Sequence, residues 1–413
     1  MNVLSLFSGC GGMDIGFEGG FECLDRSVNA ILHNDWIEKT NGTWTKLKTT
    51  GFKTVFANDI RPDAKAAWVS YFGHIDTNAN NIYHLESIVD LVKREQSGES
   101  IFPKEIDIVT GGFPCQDFSV SGKRLGFNSE KSHNGTVLEI DEPSVENRGQ
   151  LYIWMREVIS IVKPKMFIAE NVKGLTNLDN VKEVIEKDFS MAADGGYLVV
   201  PARVLHAADY GVPQSRERVI FFGFKKSALT KEALAELSKQ TIPQEYDPYP
   251  IKTHAYTVPK TDSLADPVSC REAFVDLLEP SQSSDISQTK YSKAKFMGKH
   301  CQGQAEINID SIAPTIRSEH HGNIEFRRLS SENGGKIIEE LNDGLQERRL
   351  SVRECARIQT FPDNYQFILP KTENNVSVSS SDAYKIIGNA VPCVLAYNIA
   401  MNLSEKWDRY FTR

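Results

Sequence analysis

One cysteine stands in a setting that could make it a nucleophile. Cys115 follows the run Gly111 to Pro114, which itself follows an apolar stretch, 106–110, that predicts a buried strand. A thiol at a strand end is accessible to substrate, and backbone amides or arginines nearby stabilise the thiolate. Most cysteines are simply small buried residues. The prediction that Cys115 is a catalytic nucleophile therefore depends on a proton-handling partner.

The candidate partner is Glu170, which ends the next predicted strand, Met166 to Ala169. In open α/β sheets ligands bind beyond the carboxyl ends of the strands, so Glu170 and Cys115 are expected at one edge. Many glutamates in such positions only cap a helix or form a surface ion pair. That alternative stays open on the sequence alone.

Two arginines follow in an alternating run. The sequence QSRER, from position 214, predicts a strand with Gln214, Arg216 and Arg218 on one face. Two guanidinium groups on one face require an anion or a carboxylate. The run is expected either to bind substrate or to form a structural ion-pair network with Glu170 or Glu217.

A glycine-rich turn provides the second chemical signal. Glycines at positions 9, 11, 12 and 16 follow the predicted strand Val3 to Phe7 and open a helix, where backbone can approach a ligand closely. Asp59 ends another strand and could bind ribose hydroxyls. The spacing matches neither G-x-G-x-x-G nor a P-loop. It favours a nucleoside cofactor without a pyrophosphate, the alternative being a turn that only packs helix on strand.

The elements that must position these residues alternate between strand and helix. An amphipathic helix is predicted at 150–162, and paired strands at 203–205 and 218–222. This order predicts an α/β fold with a doubly wound, Rossmann-like mixed sheet. The glycine-rich turn, Asp59, Cys115 and Glu170 all fall at carboxyl ends of predicted strands.

The remainder of the chain predicts a second domain. From about 241 to 330 the sequence is polar and weakly periodic, and a final helix is predicted from about Val391 to Trp407. We expect a catalytic and cofactor-binding domain at 1–224, completed by 383–413, and a smaller irregular domain with a hinge at 225–382. Surface loops are expected at 122–148 and 370–382.

Composition excludes several classes of protein. The 413 residues are 40% hydrophobic and 25% charged, with a net charge of −8, which argues against a surface coated with basic residues. A local basic cleft is still compatible with that charge because salt screens it beyond about 8 Å. Seven scattered cysteines without a C-x-x-C pair predict reduced thiols. With no signal peptide and no membrane-crossing run recognised, we expect a cytoplasmic protein.

Zinc deaminases are the nearest alternative chemistry, since they carry H-x-E and later P-C-x-x-C. This chain has His84-Leu85-Glu86 and Pro114-Cys115, but Phe118 occupies the position of the second cysteine. A ligand is missing, so no metal site is predicted.

Together these blocks resemble the DNA (cytosine-5) methyltransferases of bacterial restriction-modification systems. The matching blocks are LFSGCGG at 6–12, GGFPCQDFS at 111–119, RGQLY at 148–152, AENV at 169–172, QSRER at 214–218, RLSVRECARIQTFP at 349–362 and GNAVP at 388–392. Seven blocks in family order are a specific signal, and they cover most of the chain outside its irregular middle.

The chain departs from the family pattern in three places. Ile60 stands where an aromatic residue often follows the second-strand acid, and Asn80-Asn81-Ile82 replaces a usual Gly-Asp-Ile. A stretch from about Cys23 to Phe52 is longer than usual, and the sequence does not indicate its function.

The resemblance implies methyl transfer from S-adenosylmethionine to carbon 5 of a flipped-out cytosine in double-stranded DNA. It implies Cys115 as nucleophile at carbon 6, Glu170 as the group that shares a proton with nitrogen 3, and Arg216 and Arg218 as supporting catalytic residues. The implied cofactor contacts are Phe7, Cys10, Gly12, Asp59, Ile60, Asn81, Ile82, Gly112, Pro114, Leu151, Asn389 and Val391.

DNA contacts are expected from a lid at about 116–134 and from the irregular domain, especially the run TIRSEHHGNIEFRR at 315–328. The candidates are Gln116, Ser119, Lys123, Arg124, Gln214, Arg317, His320, His321, Arg327 and Arg328. More than half of such basic residues are expected to touch phosphate or solvent rather than bases.

Two other functions fit parts of the pattern. A structured RNA could be the substrate of the same chemistry, although the sizeable variable domain favours DNA. A catalytically inactive cofactor-binding regulator is disfavoured by the intact Cys115, Glu170 and arginine pair. We expect a monomer, and a restriction enzyme that acts on the same sequence without binding this protein.

Overall fold

The computed structural model describes residues 1–114, 151–177, 180–298, 300–318, 323–373 and 375–412. The strands in these ranges are β1 (Asn2–Leu6), β2 (Glu22–Leu24), β3 (Ile37–Asn41), β4 (Trp44–Leu47), β5 (Lys53–Asp59), β6 (Tyr83–Leu85), β7 (Ile108–Gly112), β8 (Met166–Val172), β9 (Tyr197–His206), β10 (Glu217–Lys225), β11 (Phe326–Arg328) and β12 (Arg348–Arg349).

The α-helices in the same ranges are α1 (Gly12–Glu18), α2 (Ala30–His33), α3 (Pro62–Phe72), α4 (Ala79–Ile82), α5 (Ile88–Gln96), α6 (Leu151–Val162), α7 (Val181–Ser190), α8 (Lys231–Leu237), α9 (Cys270–Ala273), α10 (Ile286–Thr289), α11 (Ile338–Asn342), α12 (Val352–Ile358), α13 (Ser380–Asn389) and α14 (Cys393–Tyr410). Short 3-10 turns occur at Asp25–Ser27, Asn34–Trp36, Lys173–Asn177, Ala207–Tyr210, Lys226–Ala228 and Ser331–Asn333.

Seven strands form the central sheet, in the order β6-β5-β1-β7-β8-β10-β9. The strands from β6 to β8 are parallel to their neighbours, whereas β10 runs antiparallel to both β8 and β9. The predicted α/β fold with a doubly wound, mixed sheet is confirmed. The predicted pairing of the strands around 203–205 and 218–222 is also confirmed.

The register of the parallel strands aligns their carboxyl ends. Leu6 of β1 lies opposite Asn58 of β5 and Gly111 of β7, and Gly112 lies opposite Glu170 of β8. The residues that follow these positions therefore emerge side by side at one edge. Ligands of open α/β sheets bind at such an edge.

Alternating residues of the central strands are buried on both faces. On β8, Met166 and Ile168 join one apolar cluster while Phe167 and Ala169 join the other. Strands covered on both sides read as continuous apolar runs. The second cluster includes residues of α5, α6 and α7, whereas the first includes residues of α1, α3 and α14 and continues into residues 268–367.

The C-terminal helices complete this first core. Gly16 of α1 lies so close to α14 that an added Cβ would be 2.5 Å from the carbonyl oxygen of Cys393. The stretch Ser380–Tyr410 has the length and the apolar composition to cross a membrane. Its most apolar window of 18 residues has a mean hydropathy of 1.4, but 83% of that window is buried in the fold. Its hydrophobicity is thus explained by packing in the core.

Several boundaries differ from the sequence-based predictions. The last helix begins at Cys393, after Pro392, and extends to Tyr410. The predicted loop at 370–382 ends early because Ser379 and Asp382 form a capping box that starts α13. The predicted loop at 122–148 lies outside the described residues.

The described residues of 225–381 add no strand to the central sheet beyond the end of β10. They contain only short helices and the two-stranded pair of β11 and β12. The unassigned stretch near the N-terminus instead forms its own antiparallel sheet, in the order β2-β4-β3.

Two carboxyl groups lie one turn apart on α1, of which Asp14 is buried and Glu18 is half-buried. Asp14 accepts hydrogen bonds from Ser5 Oγ at 2.6 Å and from Trp68 Nε1 at 2.7 Å. One turn later, Glu18 Oε1 accepts a hydrogen bond from the backbone N–H of Thr54 at 3.0 Å. Burial raises the pKa of Asp14 to about 6, and burial together with the Asp14 charge raises the pKa of Glu18 to about 7.

We predict that Glu18→Gln becomes progressively more stable relative to the natural protein as pH rises from about 4.5 to about 7. An acid whose pKa is raised by folding binds more protons when folded, so its contribution to the free energy of unfolding falls through that window as the pH increases. The relative gain should be on the order of 1–3 kcal/mol. Urea unfolding of both proteins at several pH values measures it.

The matched control is Glu22→Gln, since Glu22 is exposed at the start of β2. Its free energy of unfolding, measured at the same pH values, is the reference for replacing an exposed glutamate. A constant difference for Glu18→Gln across the same range would contradict the prediction.

Candidate active site

The glycine-rich turn is fixed from several directions. The hydroxyl of Tyr83 donates to the carbonyl oxygen of Gly9 at 2.9 Å, and that of Tyr365 donates to the carbonyl oxygen of Cys10 at 2.7 Å. Gly11 has a φ of 80°, and a Cβ there would lie 2.5 Å from the Trp68 ring. Only glycine satisfies both constraints.

Asp59 connects the turn to the end of β5. Its Oδ2 accepts a hydrogen bond from the N–H of Gly9 at 3.0 Å and its Oδ1 accepts from the N–H of Arg61 at 3.0 Å. Burial raises the pKa of this carboxyl group. A carboxylate has further lone pairs, so Asp59 can hold the turn and also accept a ligand hydroxyl.

The other predicted cofactor contacts surround this turn. Gly12 packs against the carbonyl oxygen of Val391, which an added Cβ would approach to 2.3 Å. Ile60, at the end of β5, is 40% exposed, and Asn389 is also exposed. Phe7 has a φ of 53°, which turns the chain sharply after β1.

Some of the predicted contacts present backbone or lie further in. Cys10 is fully buried and its Sγ donates to the carbonyl oxygen of Ile386, so only its backbone is available to a ligand. Ile82 and Leu151 are buried at 8% and 4% exposure, whereas Asn81 is exposed and bonded to Asn78. Pro114 is half-buried at the end of the first described range.

A buried ion pair lies where β7, β8 and β10 meet. Arg218 Nε is 2.7 Å from Glu170 Oε1, and their side chains are only 12% and 10% exposed. The other oxygen, Oε2, would lie 2.8 Å from a Cβ at Gly112. The carboxylate thus faces the end of β7, three residues before Cys115.

Asn171 is a residue of this site that the sequence argument did not assign. It is 1% exposed, and its Nδ2 donates to the carbonyl oxygen of Phe113 at 3.2 Å. This bond fixes the backbone that leads to Pro114 and Cys115. A buried amide directly after the candidate acid was the available signal, because buried polar groups require partners.

The prediction of one strand through Gln214, Arg216 and Arg218 is wrong. The strand β10 begins at Glu217, and only Arg218 faces Glu170. Arg216 is 1% exposed and donates instead to the carbonyl oxygens of Ile316, Gly388 and Ala390.

Gln214 is fully buried and joins the same junction. Its Nε2 donates to Gln359 Oε1 at 2.9 Å and its Oε1 accepts from the N–H of Ile316. The buried side chains of Arg216 and Gln214 therefore connect this segment to residues 316, 359 and 388–390 by hydrogen bonds. The structure does not present them on a surface that faces a substrate.

The predicted DNA-contacting arginines of the irregular domain are also engaged. Arg327 and Arg328 are 8% and 1% exposed and both contact the carboxylate of Glu340. Arg328 also lies 3.4 Å from Glu279. This differs from the DNA-facing position predicted for these two side chains, because nearby carboxylates neutralise them inside the protein.

Arg317 is more accessible than Arg327 and Arg328. Its side chain is 25% exposed and pairs with Glu325 at 2.8 Å. It lines a half-open groove of about 810 Å³ together with Arg271, Gln304 and Lys336. The residues that line the groove all lie between 271 and 339 in the chain.

Several predicted residues lie outside the described ranges. These are Cys115, Gln116, Ser119, Lys123, Arg124, His320 and His321, together with the expected lid at 116–134. Among the residues that the structure describes, no group of three or more His, Cys, Asp or Glu side chains is arranged to bind a metal ion.

Comparison with known proteins identifies the family of this chain. The model of the family described as C-5 cytosine-specific DNA methylase matches residues 1–405. The type II methyltransferase M.BspRI of Lysinibacillus sphaericus is 33% identical over 98% of this chain and 81% of its own. M.NgoPII of Neisseria gonorrhoeae is 29% identical over 99% of this chain and 97% of its own.

Solved structures share the fold. The S. pombe Dnmt2 methyltransferase superposes with a TM-score of 0.54 at 18% identity, covering 98% of this chain and 99% of that one. A putative DNA modification methyltransferase encoded within an E. coli prophage gives a TM-score of 0.51 at 20% identity, covering 99% of both chains. The family match confirms the resemblance seen in the sequence blocks, and this chain belongs to the C-5 cytosine-specific DNA methylase family.

Proposed function

We propose that this protein methylates carbon 5 of a flipped-out cytosine within a specific DNA sequence, through a covalent bond between Cys115 and carbon 6. Support comes chiefly from the Glu170 carboxylate, which Arg218 holds with Oε2 beside Gly112, at the strand end that leads to Cys115. An acid and a nucleophile at neighbouring strand ends can act on two atoms of one base. The target atoms are hidden in the duplex, so the base must leave the stack.

The nucleophile makes carbon 5 reactive. Addition of the Cys115 thiolate to carbon 6 breaks the 5,6 double bond, and carbon 5 gains the electron density of an enamine. Glu170 donates or shares a proton at nitrogen 3, which receives the developing negative charge. Arg218 orients Glu170 and binds the carbonyl oxygen of the base. After methyl transfer, a proton acceptor removes the proton from carbon 5. The 5,6 double bond then reforms, and the Cys115 thiolate leaves carbon 6.

The turn between β1 and α1 fits S-adenosylmethionine, which supplies the methyl group when bound. Among the residues that the structure describes, none lies within 4 Å of a Cβ placed on Gly9, so these residues leave space beside the turn. Asp59 is placed to accept hydroxyl groups of a ribose, and the exposed Ile60 side chain offers an apolar surface to a base. Gly12, on the other side of the turn, packs directly on the backbone of Val391.

We further propose that 225–382 form the target-recognition domain and hinge, and that 1–224 with 383–413 bind cofactor and catalyse. Arg216 and Gln214 then act as positioning residues at the junction of the two parts. Arg327 and Arg328 support the recognition domain from inside through Glu340. The proposed DNA contacts are Gln116, Ser119, Lys123, Arg124, Arg317, His320 and His321.

The biological role proposed is protection of host DNA from a restriction enzyme with the same target sequence. The relatives named above are type II methyltransferases, and this chain covers most of their length. The protein is proposed to be cytoplasmic and monomeric, and to act without binding the restriction enzyme.

We predict that Cys115→Ala abolishes methyl transfer and leaves S-adenosylmethionine binding intact. A duplex that carries 5-fluorocytosine at the target should trap the natural protein covalently at Cys115, because fluorine cannot leave as a proton does. Peptide mapping by mass spectrometry identifies the modified residue. Cys301→Ala is the control, since Cys301 is an exposed cysteine that has no role in the proposed reaction. Labelling at any cysteine other than Cys115 would refute the assignment.

We predict that Gly112→Ala slows methyl transfer by roughly 10- to 100-fold, because a misplacement of about 1 Å can have that effect. The new methyl group would displace Glu170 Oε2 from its 2.8 Å position. Glu170→Ala alone should slow the reaction by about 10²–10⁴-fold. Single-turnover rates of the two variants and of the double variant complete a mutant cycle.

The double variant is the control for this mechanism. Once Glu170 is truncated, Gly112→Ala should slow the reaction by less than about threefold further, because the two effects share one cause. An equal factor in both backgrounds would show that Gly112 does not act through Glu170.

A further inference from the structure

The small β2-β4-β3 sheet and the turns around it lie outside the catalytic sheet. Residues 25–47, which we call the brace, connect β2 to the end of β4 and contribute nothing to the central sheet among the described residues. A direct link from α1 to β5 would need far fewer residues. The contacts of the brace reach in two directions.

One end of the brace is anchored to the catalytic part. Trp36 is 3% exposed, and its Nε1 donates to Glu405 of α14 at 2.6 Å. Its ring packs edge-on against Tyr397 at 5.6 Å and stacks on His33 at 3.6 Å. The Tyr397 hydroxyl donates to the carbonyl oxygen of Lys48 at 3.0 Å. These bonds fix the brace to the helix that completes the core.

The middle of the brace binds the region proposed for recognition. Asn29 is 4% exposed, and its Nδ2 donates to the carbonyl oxygens of Thr253 and Ser263, both at 2.7 Å. Its Oδ1 meanwhile caps α2. Beside it, the fully buried His254 lies with Nε2 2.9 Å from the carbonyl oxygen of Arg26.

The strand β4 reaches the same region further along. Trp44 Nε1 donates to Asp276 Oδ2 at 3.1 Å, and the guanidinium group of Arg357 lies 4.7 Å from the Trp44 ring centre. Arg357 also pairs with Asp276 at 2.8 Å. Trp44, Asp276 and Arg357 thus contact one another, and Arg357 connects β4 to α12.

Backbone contact is equally close. A Cβ at Gly211 would lie 2.1 Å from the carbonyl oxygen of Ser27. Gly211 precedes the junction around Gln214 by three residues. The brace therefore touches the chain just before it enters the junction, as well as the segments 253–276 beyond it.

We propose that the brace sets the angle between the recognition domain and the catalytic sheet, and so determines how firmly and how selectively DNA is held. Domains of one chain move relative to each other unless their interface is large and well packed. The brace contacts both parts at once, since Trp36 bonds to α14 while Asn29 and Trp44 bond to residues 253, 263 and 276. Asn29 and Trp44 are its positioning residues. This inference rests on the proposed function.

The test uses two conservative variants. Trp44→Phe removes the hydrogen bond to Asp276 but keeps a ring beside Arg357. Asn29→Asp keeps the cap of α2 but points a carboxylate at two carbonyl oxygens. Glu38→Ala is the matched control, because it breaks only an exposed ion pair with Lys46 inside the same small sheet.

The probe is a duplex that contains the sequence methylated by the natural protein, as found by bisulfite sequencing of a plasmid. We expect both variants to raise the Kd for this duplex by about tenfold and to lower the ratio of methylation at that sequence to methylation at single-mismatch sites. The Kd for S-adenosylmethionine should stay unchanged. Small-angle scattering should show a larger radius of gyration for both variants than for the control.

The outcomes separate the two proposals. If the natural protein does not methylate duplex DNA, the proposed function fails. If it does, but the variants match Glu38→Ala in duplex Kd, selectivity and radius of gyration, the brace proposal is overturned. A lower unfolding midpoint with unchanged duplex Kd and selectivity also overturns it, since the brace would then only add stability.

Discussion

The ion pair between Glu170 and Arg218 depends on the direction of one strand. Glu170 lies opposite Ile220 in the antiparallel pairing of β8 and β10, and Arg218 is two residues away on the same face. Diagonal neighbours of this kind are within reach of a long side chain. Glu170 is also opposite Gly112 in the parallel pairing with β7. In this mixed sheet the Glu170 carboxylate therefore lies between the Arg218 guanidinium group of β10 and Gly112 of β7, which has no side chain.

The sequence predicted what depends on local pattern, and it failed where partners are distant. Apolar runs that end in Asp59, Gly112 and Glu170 are local signals, and the strand ends lie together as expected. Arg216 was predicted to be part of a strand because its partners, at 316 and 388–390, are 100 or more residues away. Arg328 was predicted to face DNA because its partners, Glu340 and Glu279, are 12 and 49 residues away, and neither shows in the sequence that it neutralises a buried charge.

The irregular region contains a cluster of buried charges beside its part of the apolar core. Arg328, Arg348 and Glu354 are each at most 6% exposed, and Glu279 pairs with both arginines. Buried charges of this kind are tolerated only as complete sets, because removal of one partner leaves the other uncompensated. Weak hydrophobic periodicity between 241 and 330 is therefore consistent with an ordered structure. It also means that basic residues there cannot be equated with a DNA-binding surface.

The contact of α1 with α14 has a consequence for synthesis on the ribosome. Gly12 and Gly16 pack directly on backbone of residues 391–397, so the first helix has no complete partner until the last part of the chain has emerged. At about 5–20 residues per second, a chain of this length takes roughly 20–80 s to make. During that time the glycine-rich turn lacks its contact with residue 391. A truncated nascent chain would therefore lack methylating activity, and the cell would gain the activity only together with the segment proposed to choose its target.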